Sequence, residues 1–86
     1  MLIYVRLAEP YWRTVGQRDL ELELEDQARV SDLLALLTKR HPALKQELVQ
    51  APPHLFIGEL EVSEQSPLEE GDRLYVVWPI AGGTQG

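Results

Sequence analysis

At 86 residues, with eight basic against fourteen acidic side chains and a net charge of −6, the chain makes one small domain. Such a domain buries roughly 60–65% of the surface of its unfolded chain, which leaves no room for an enclosed active site, so catalytic groups are expected from a partner. The charge repels phosphate backbones and sets nucleic acid aside, and the absence of cysteine removes disulfides, thiolate nucleophiles and thiolate metal sites together.

Met1-Leu2-Ile3-Tyr4-Val5-Arg6 carries charge early, with no long apolar run and no small-residue cleavage site. Neither a signal peptide nor a membrane span is expected, and the default location is cytoplasmic. Residues 2 to 8 run apolar with β-branched and aromatic content and predict a first strand, closed by Pro10; Tyr11 to Gly16 follows as a loop or turn. From Asp19 to Glu25 the pattern alternates, with Leu20, Leu22 and Leu24 on one face and Glu21, Glu23 and Glu25 on the other. That is a strand with one buried side. Its acidic stripe suits an edge that must not pair with a second chain.

At Val30 the period changes, since Val30, Leu33, Leu34, Leu36 and Leu37 fall on a helix face. The predicted helix spans 32 to 41, capped by Ser31, with Asp32 in the first turn and Lys39, Arg40 and His41 in the last, where the helix dipole favours each charge. Pro42 prevents simple continuation; Ala43 to Val49 adds a short helical turn that Gln50-Ala51-Pro52-Pro53 breaks. Leu55-Phe56-Ile57 and Leu60-Glu61-Val62 predict a hairpin turning near Gly58. A last strand follows from Arg73 to Trp78, after a turn at Gly71-Asp72 that is assigned to folding.

The end of the chain carries the chemistry. The apolar strand Leu74-Tyr75-Val76-Val77-Trp78 runs into Pro79-Ile80-Ala81-Gly82-Gly83, and a closing strand needs no Gly-Gly after it. A carboxyl group that must enter another protein's active site does, because bare backbone passes a narrow channel. Together with Pro67-Leu68-Glu69-Glu70-Gly71-Asp72-Arg73-Leu74, this series resembles the ubiquitin-like sulfur carriers: the small subunit of molybdopterin synthase and its MoaD/ThiS-like relatives. The resemblance in layout covers residues 1 to 83, and Thr84-Gln85-Gly86 stands as a short extension.

That resemblance implies an α+β, β-grasp fold: a mixed sheet, its first and last strands adjacent and parallel, with one main helix across it. It also implies a function. The Gly83 carboxylate would attack ATP in an E1-like adenylyltransferase and then become a thiocarboxylate that donates sulfur. The acceptor would be the molybdopterin synthase large subunit or another sulfur-accepting enzyme, in thiamine, cysteine or tRNA-thiolation chemistry. Gly82 would pass the channel, with Ala81 and Ile80 at its mouth. In the family the second glycine is normally the last residue, so either Thr84 to Gly86 would be removed by a trimming protease, or Gly86 would serve as the reactive end, or the carrier chemistry would be absent. No cofactor would be held by this chain, ATP being used by the partner. Trp78 and Pro79, before the tail, and Phe56 are candidate partner contacts, although an aromatic in a strand of a small domain is often core. His41 and His54 lack neighbours at ligand spacing, so no metal site is expected. The alternative of a different class is a non-catalytic interaction domain or protein modifier.

Overall fold

In the computed structural model, which describes residues 1–79, the elements run β1 (Leu2–Leu7), α1 (Tyr11–Val15), β2 (Asp19–Glu23), α2 (Val30–Arg40), α3 (Pro42–Gln50), β3 (His54–Ile57), β4 (Leu60–Val62) and β5 (Arg73–Val77). The strands form one five-stranded sheet in the order β2-β1-β5-β3-β4. β1 and β5 pair in parallel, with Val5 opposite Leu74, and the other pairings are antiparallel. This is the β-grasp arrangement expected from the resemblance, with the first and last strands in the middle.

Alternation along the strands assigns the two faces. Ile3, Val5, Leu7, Leu22, Leu55, Leu74 and Val76 point to one side, where Tyr11, Val30, Leu33, Leu37 and Leu44 of the helices meet them in a single core. The helices therefore cover one face of the sheet and leave the other open. β2 lies at an edge, and Glu21 and Glu23 are exposed there, as the acidic stripe predicts.

Several boundaries differ from the sequence expectation. Tyr11 to Val15 is a helical turn rather than a loop. Gly16 ends it at φ 92°, donating its N–H to the Trp12 carbonyl at 2.7 Å in a left-handed cap. β1 ends at Leu7 rather than residue 8, and β2 ends at Glu23 rather than Glu25. The main helix begins at Val30, and Ser31 does not cap it: the Asp32 carboxylate accepts the Arg29 N–H at 2.8 Å, as the N3 acid of a capping box does. The next donors are met by the loop before β5, Val30 N–H by the Ser66 carbonyl at 3.0 Å and Ser31 N–H by that of Glu64 at 2.9 Å. Pro42 stops α2 but also starts α3 at its first position, where a missing N–H costs nothing.

The turn before β5 joins the two central strands. Gly71 has φ 84°, a conformation that L side chains adopt only with strain, and it donates its N–H to the Leu2 carbonyl at 2.8 Å. Asp72 accepts the Glu69 N–H through Oδ2 at 2.8 Å, and the Asp72 carbonyl accepts from Tyr4 at 2.9 Å. The turn is structural, as expected, and sets the register in which β5 carries the chain toward its tail.

Candidate functional site

β5 is a central strand, so the chain leaves the sheet from its middle. The last paired residue is Val77, opposite His54, and β5 ends there rather than at Trp78. Trp78 and Pro79 follow, both half-buried. The Trp78 ring lies against Tyr11, with centroids 5.5 Å apart and planes tilted by 52°, a separation at which edge-tilted aromatic pairs attract. Tyr11 is fully buried. Its hydroxyl makes a long hydrogen bond, 3.5 Å, to the Ala51 carbonyl after α3, and burial, followed by the nearby Glu47 carboxylate, pushes the phenol up to about 12. The root of the tail is thus held on one side by an aromatic anchored between α1 and α3.

The open face of the sheet lies beside that root. Phe56 is on it, half-buried, opposite Tyr75 on β5 and Glu61 on β4. Tyr4 and Arg6 of β1 face Arg73 and Tyr75 of β5 in the parallel register. Arg6 pairs with Asp19 across the β1/β2 edge, Nε to Oδ1 at 2.8 Å and Nη2 to Oδ2 at 3.2 Å. That hydrogen bond, ahead of the fields of Arg73 and Arg18, holds the Asp19 carboxyl below the usual carboxylate range. His54 Nδ1 meets Glu61 Oε2 at 3.0 Å, joining β3 to β4.

Of the residues singled out from sequence, Phe56 lies on the open face, whereas Trp78 lies on the helix-covered side against Tyr11, and Pro79 follows it where the tail begins. Trp78 packs partly against the core, as its aromatic character allows. Ile80, Ala81, Gly82, Gly83 and the extension Thr84 to Gly86 lie outside the described residues.

Sequence reasoning missed a groove of about 280 Å³ at the root of the tail, between α1 and the ends of β1 and β5. Trp12, Arg18, Arg6, Tyr75 and Val77 line it. Arg18 and Arg13 both bring a guanidinium to the Trp12 ring, at 5.1 and 5.2 Å from its centroid, within cation–π range. Arg13 is also paired with Glu9 at 2.9 Å. The aromatic-basic composition of residues 11 to 18 was visible, but the strand-end partners were not. Among the described residues, no helix is long and apolar enough to cross a membrane.

The ThiS family model matches residues 5–83, and no curated protein matches the sequence. Solved structures share the fold at low identity. The small archaeal modifier protein SAMP1 of Haloferax volcanii aligns at a TM-score of 0.84 and 20% identity, over 96% of this chain and 100% of that one. A candidate subunit 1 of molybdopterin converting factor from Pyrococcus furiosus aligns at 0.78 and 22%, over 93% and 99%. Subunits 1 and 2 of the Helicobacter pylori molybdopterin-converting factor were solved as a complex, and that structure aligns at 0.66 and 18%, over 96% and 100%. A family match that runs through the central strand to the second glycine, on a ubiquitin-like sheet, identifies this chain as a member of the ThiS family.

Proposed function

We propose that this protein is a sulfur carrier in which the carboxylate of Gly83 is the working group, and that it serves as the small subunit of a molybdopterin synthase. The observation that carries this is the reach of the family match, which includes Gly82-Gly83 and ends on the second glycine. A free carboxylate is a poor acyl donor. Attack of the Gly83 carboxylate on the α-phosphorus of ATP releases pyrophosphate and leaves an acyl-adenylate, whose AMP is then displaced by sulfide-level sulfur to give a thiocarboxylate. The activating enzyme supplies the catalytic groups and binds the ATP. This chain supplies a rigid support for the tail: a central strand tied into the sheet on both sides, with Trp78 packed on Tyr11.

If Gly83 is the working end, whatever follows it must be removed. Reacting atoms have to approach to about 3–3.5 Å, whereas three further residues displace the terminal carboxylate by up to roughly 10 Å. The Helicobacter complex of subunits 1 and 2 supports a large subunit as the partner that receives the sulfur. The likeness to SAMP1 favours a second fate for the same adenylate, conjugation to a lysine of another protein.

Pyrophosphate exchange with an E1-like activating enzyme of the same organism tests the shared first step, using protein that ends at Gly83. Exchange is expected, and its absence would refute both fates. Intact-mass analysis of protein from the native host then separates them. A species ending at Gly83 with one oxygen replaced by sulfur supports the carrier, whereas an isopeptide-linked species without sulfur supports the modifier.

A further inference from the structure

The chain is acidic as a whole, yet Arg6, Arg13, Arg18 and Arg73, half of its eight basic residues, gather where β1, α1 and β5 meet. Two of them are neutralised, Arg6 by Asp19 and Arg13 by Glu9. Arg18 and Arg73 have no carboxylate within ion-pair distance among the described residues. Each is exposed, and each lies over an aromatic ring: Arg18 over Trp12 at 5.1 Å, Arg73 over Tyr4 at 5.6 Å. A guanidinium resting on a ring keeps its edge N–H groups free for a planar, two-point bond to a carboxylate. The ring contact also orders the side chain in advance, which lowers the entropic cost of using it.

The two arginines flank one continuous surface. Arg6 lines both the groove that contains Arg18 and Trp12 and the adjacent depression that contains Arg73 and Tyr4. Glu21 is the acid of that depression besides the paired Asp19; in the groove beside Trp12 and Arg18 the acid is Glu9, which Arg13 already pairs, and its floor is apolar Ala8, Val76 and Val77. The same groove ends at Val77, where the tail departs. Between Val77 and Gly83 the chain can span at most about 20 Å, at ~3.3–3.6 Å per residue. A partner that holds Gly83 in its active site therefore lies within that distance of the end of the groove, near enough to contact this corner of the sheet.

We infer that this groove is a docking site for an acidic segment of the partner that takes the tail, with partner carboxylates bound by Arg18 and Arg73 and an apolar side chain seated beside Trp12. The inference rests on the tail being used as proposed above, and it adds the chemistry of the partner surface. Locally that chemistry is the reverse of what the net charge implies: the partner should present Asp or Glu here.

The test is pyrophosphate exchange with the activating enzyme of the same organism, on protein ending at Gly83, comparing the wild-type chain with Arg18→Glu, Arg73→Glu and the double variant. Rim charges act mainly on association and its salt dependence. The double variant is expected to raise KM for the carrier by about tenfold with kcat little changed, and wild-type KM should rise with salt more steeply than that of the double variant. Arg18→Gln with Arg73→Gln provides the milder pair should the charge reversal disturb folding, which thermal melting reports. Unchanged KM and unchanged salt slope in folded variants would overturn the docking inference while leaving the carrier reading standing. Absence of exchange by the wild-type chain would instead overturn the carrier reading, and the docking inference with it. A concentration-dependent dimer in sedimentation that both variants abolish would assign the groove to a second copy of this chain and refute the partner assignment.

Discussion

Raising the pH should weaken the fold through one buried phenol, and the size of the effect can be worked from the structure. Tyr11 is fully buried, and its hydroxyl titrates near about 12 against an ordinary 10.0, with burial the main cause and the Glu47 carboxylate the second. The folded state therefore favours the neutral phenol. Stability from this group is intact below the unfolded value and is lost as pH rises through 10 toward the folded value. With values of about 12 and 10.0, the unfolded chain gains about 1.4 kcal/mol between pH 8 and pH 11, since the phenolate is then about tenfold more populated in it. Tyr11→Phe removes the titration while keeping the ring that packs on Trp78. Urea denaturation of both proteins at pH 8 and pH 11 is the assay. Subtracting the two series cancels lysine, arginine and the other tyrosines. Near pH 8 the variant should be weaker by about 0.5–1.5 kcal/mol for the lost hydrogen bond, and that deficit should vanish or reverse at pH 11. A difference independent of pH would show that the phenolate is tolerated in the folded state, and the account of Tyr11 as a desolvated anchor would fail.

Gly71→Ala should cost about 1–2 kcal/mol from the left-handed backbone alone, since nothing lies within 4 Å of the added Cβ; Gly71→Asn should cost less, as denaturation midpoints would show. Leu37→Ala, at a fully buried helix position, should cost about 2–5 kcal/mol and is measured in the same way. Asp19 has its carboxyl lowered by Arg6, so its contribution is present above the unfolded value and lost as pH falls through the folded one. Asp19→Asn should accordingly flatten the acid limb of the stability profile. Gly83→Val should abolish adenylation in the exchange assay without moving the melting temperature; a fall of several degrees would make that glycine structural.

The sheet and its main helix were legible because their periods are long enough to repeat. Leu20, Leu22 and Leu24 alternate, and Val30 to Leu37 recur on one helix face. The start of α2 was misplaced because Ser31 is the conventional capping residue, whereas its donors are met by carbonyls of the loop before β5, an arrangement that depends on tertiary closure. α1 is too short to show a period, and its Trp12 acquires meaning only when Arg18 returns to it from beyond Gly16. The α3 helix read as a mere turn because Pro42 signals a stop and a start with the same residue. Pro79 to Gly83 was readable as a motif since its chemistry is local, but the groove beside it is assembled from residues scattered between Arg6 and Val77, which no local pattern reveals.

Placing the last strand in the centre of the sheet has a consequence for the order of events during synthesis. β1 is made first and waits for β5, with which it shares the longest-range pairing in the molecule; until β5 arrives, Ile3, Val5 and Leu7 have no central neighbour to pack beside. Such non-local closure is slow compared with helix formation. An interrupted chain that lacks β5 also lacks the strand that pairs with both β1 and β3, and it is expected to be open to proteolysis. The tail follows β5 directly, so every molecule that carries a tail also carries the strand needed to finish the fold. A partner that recognises both the tail and the corner of the sheet beside it would thereby receive only chains whose folding has been completed, a form of quality control that requires no additional component.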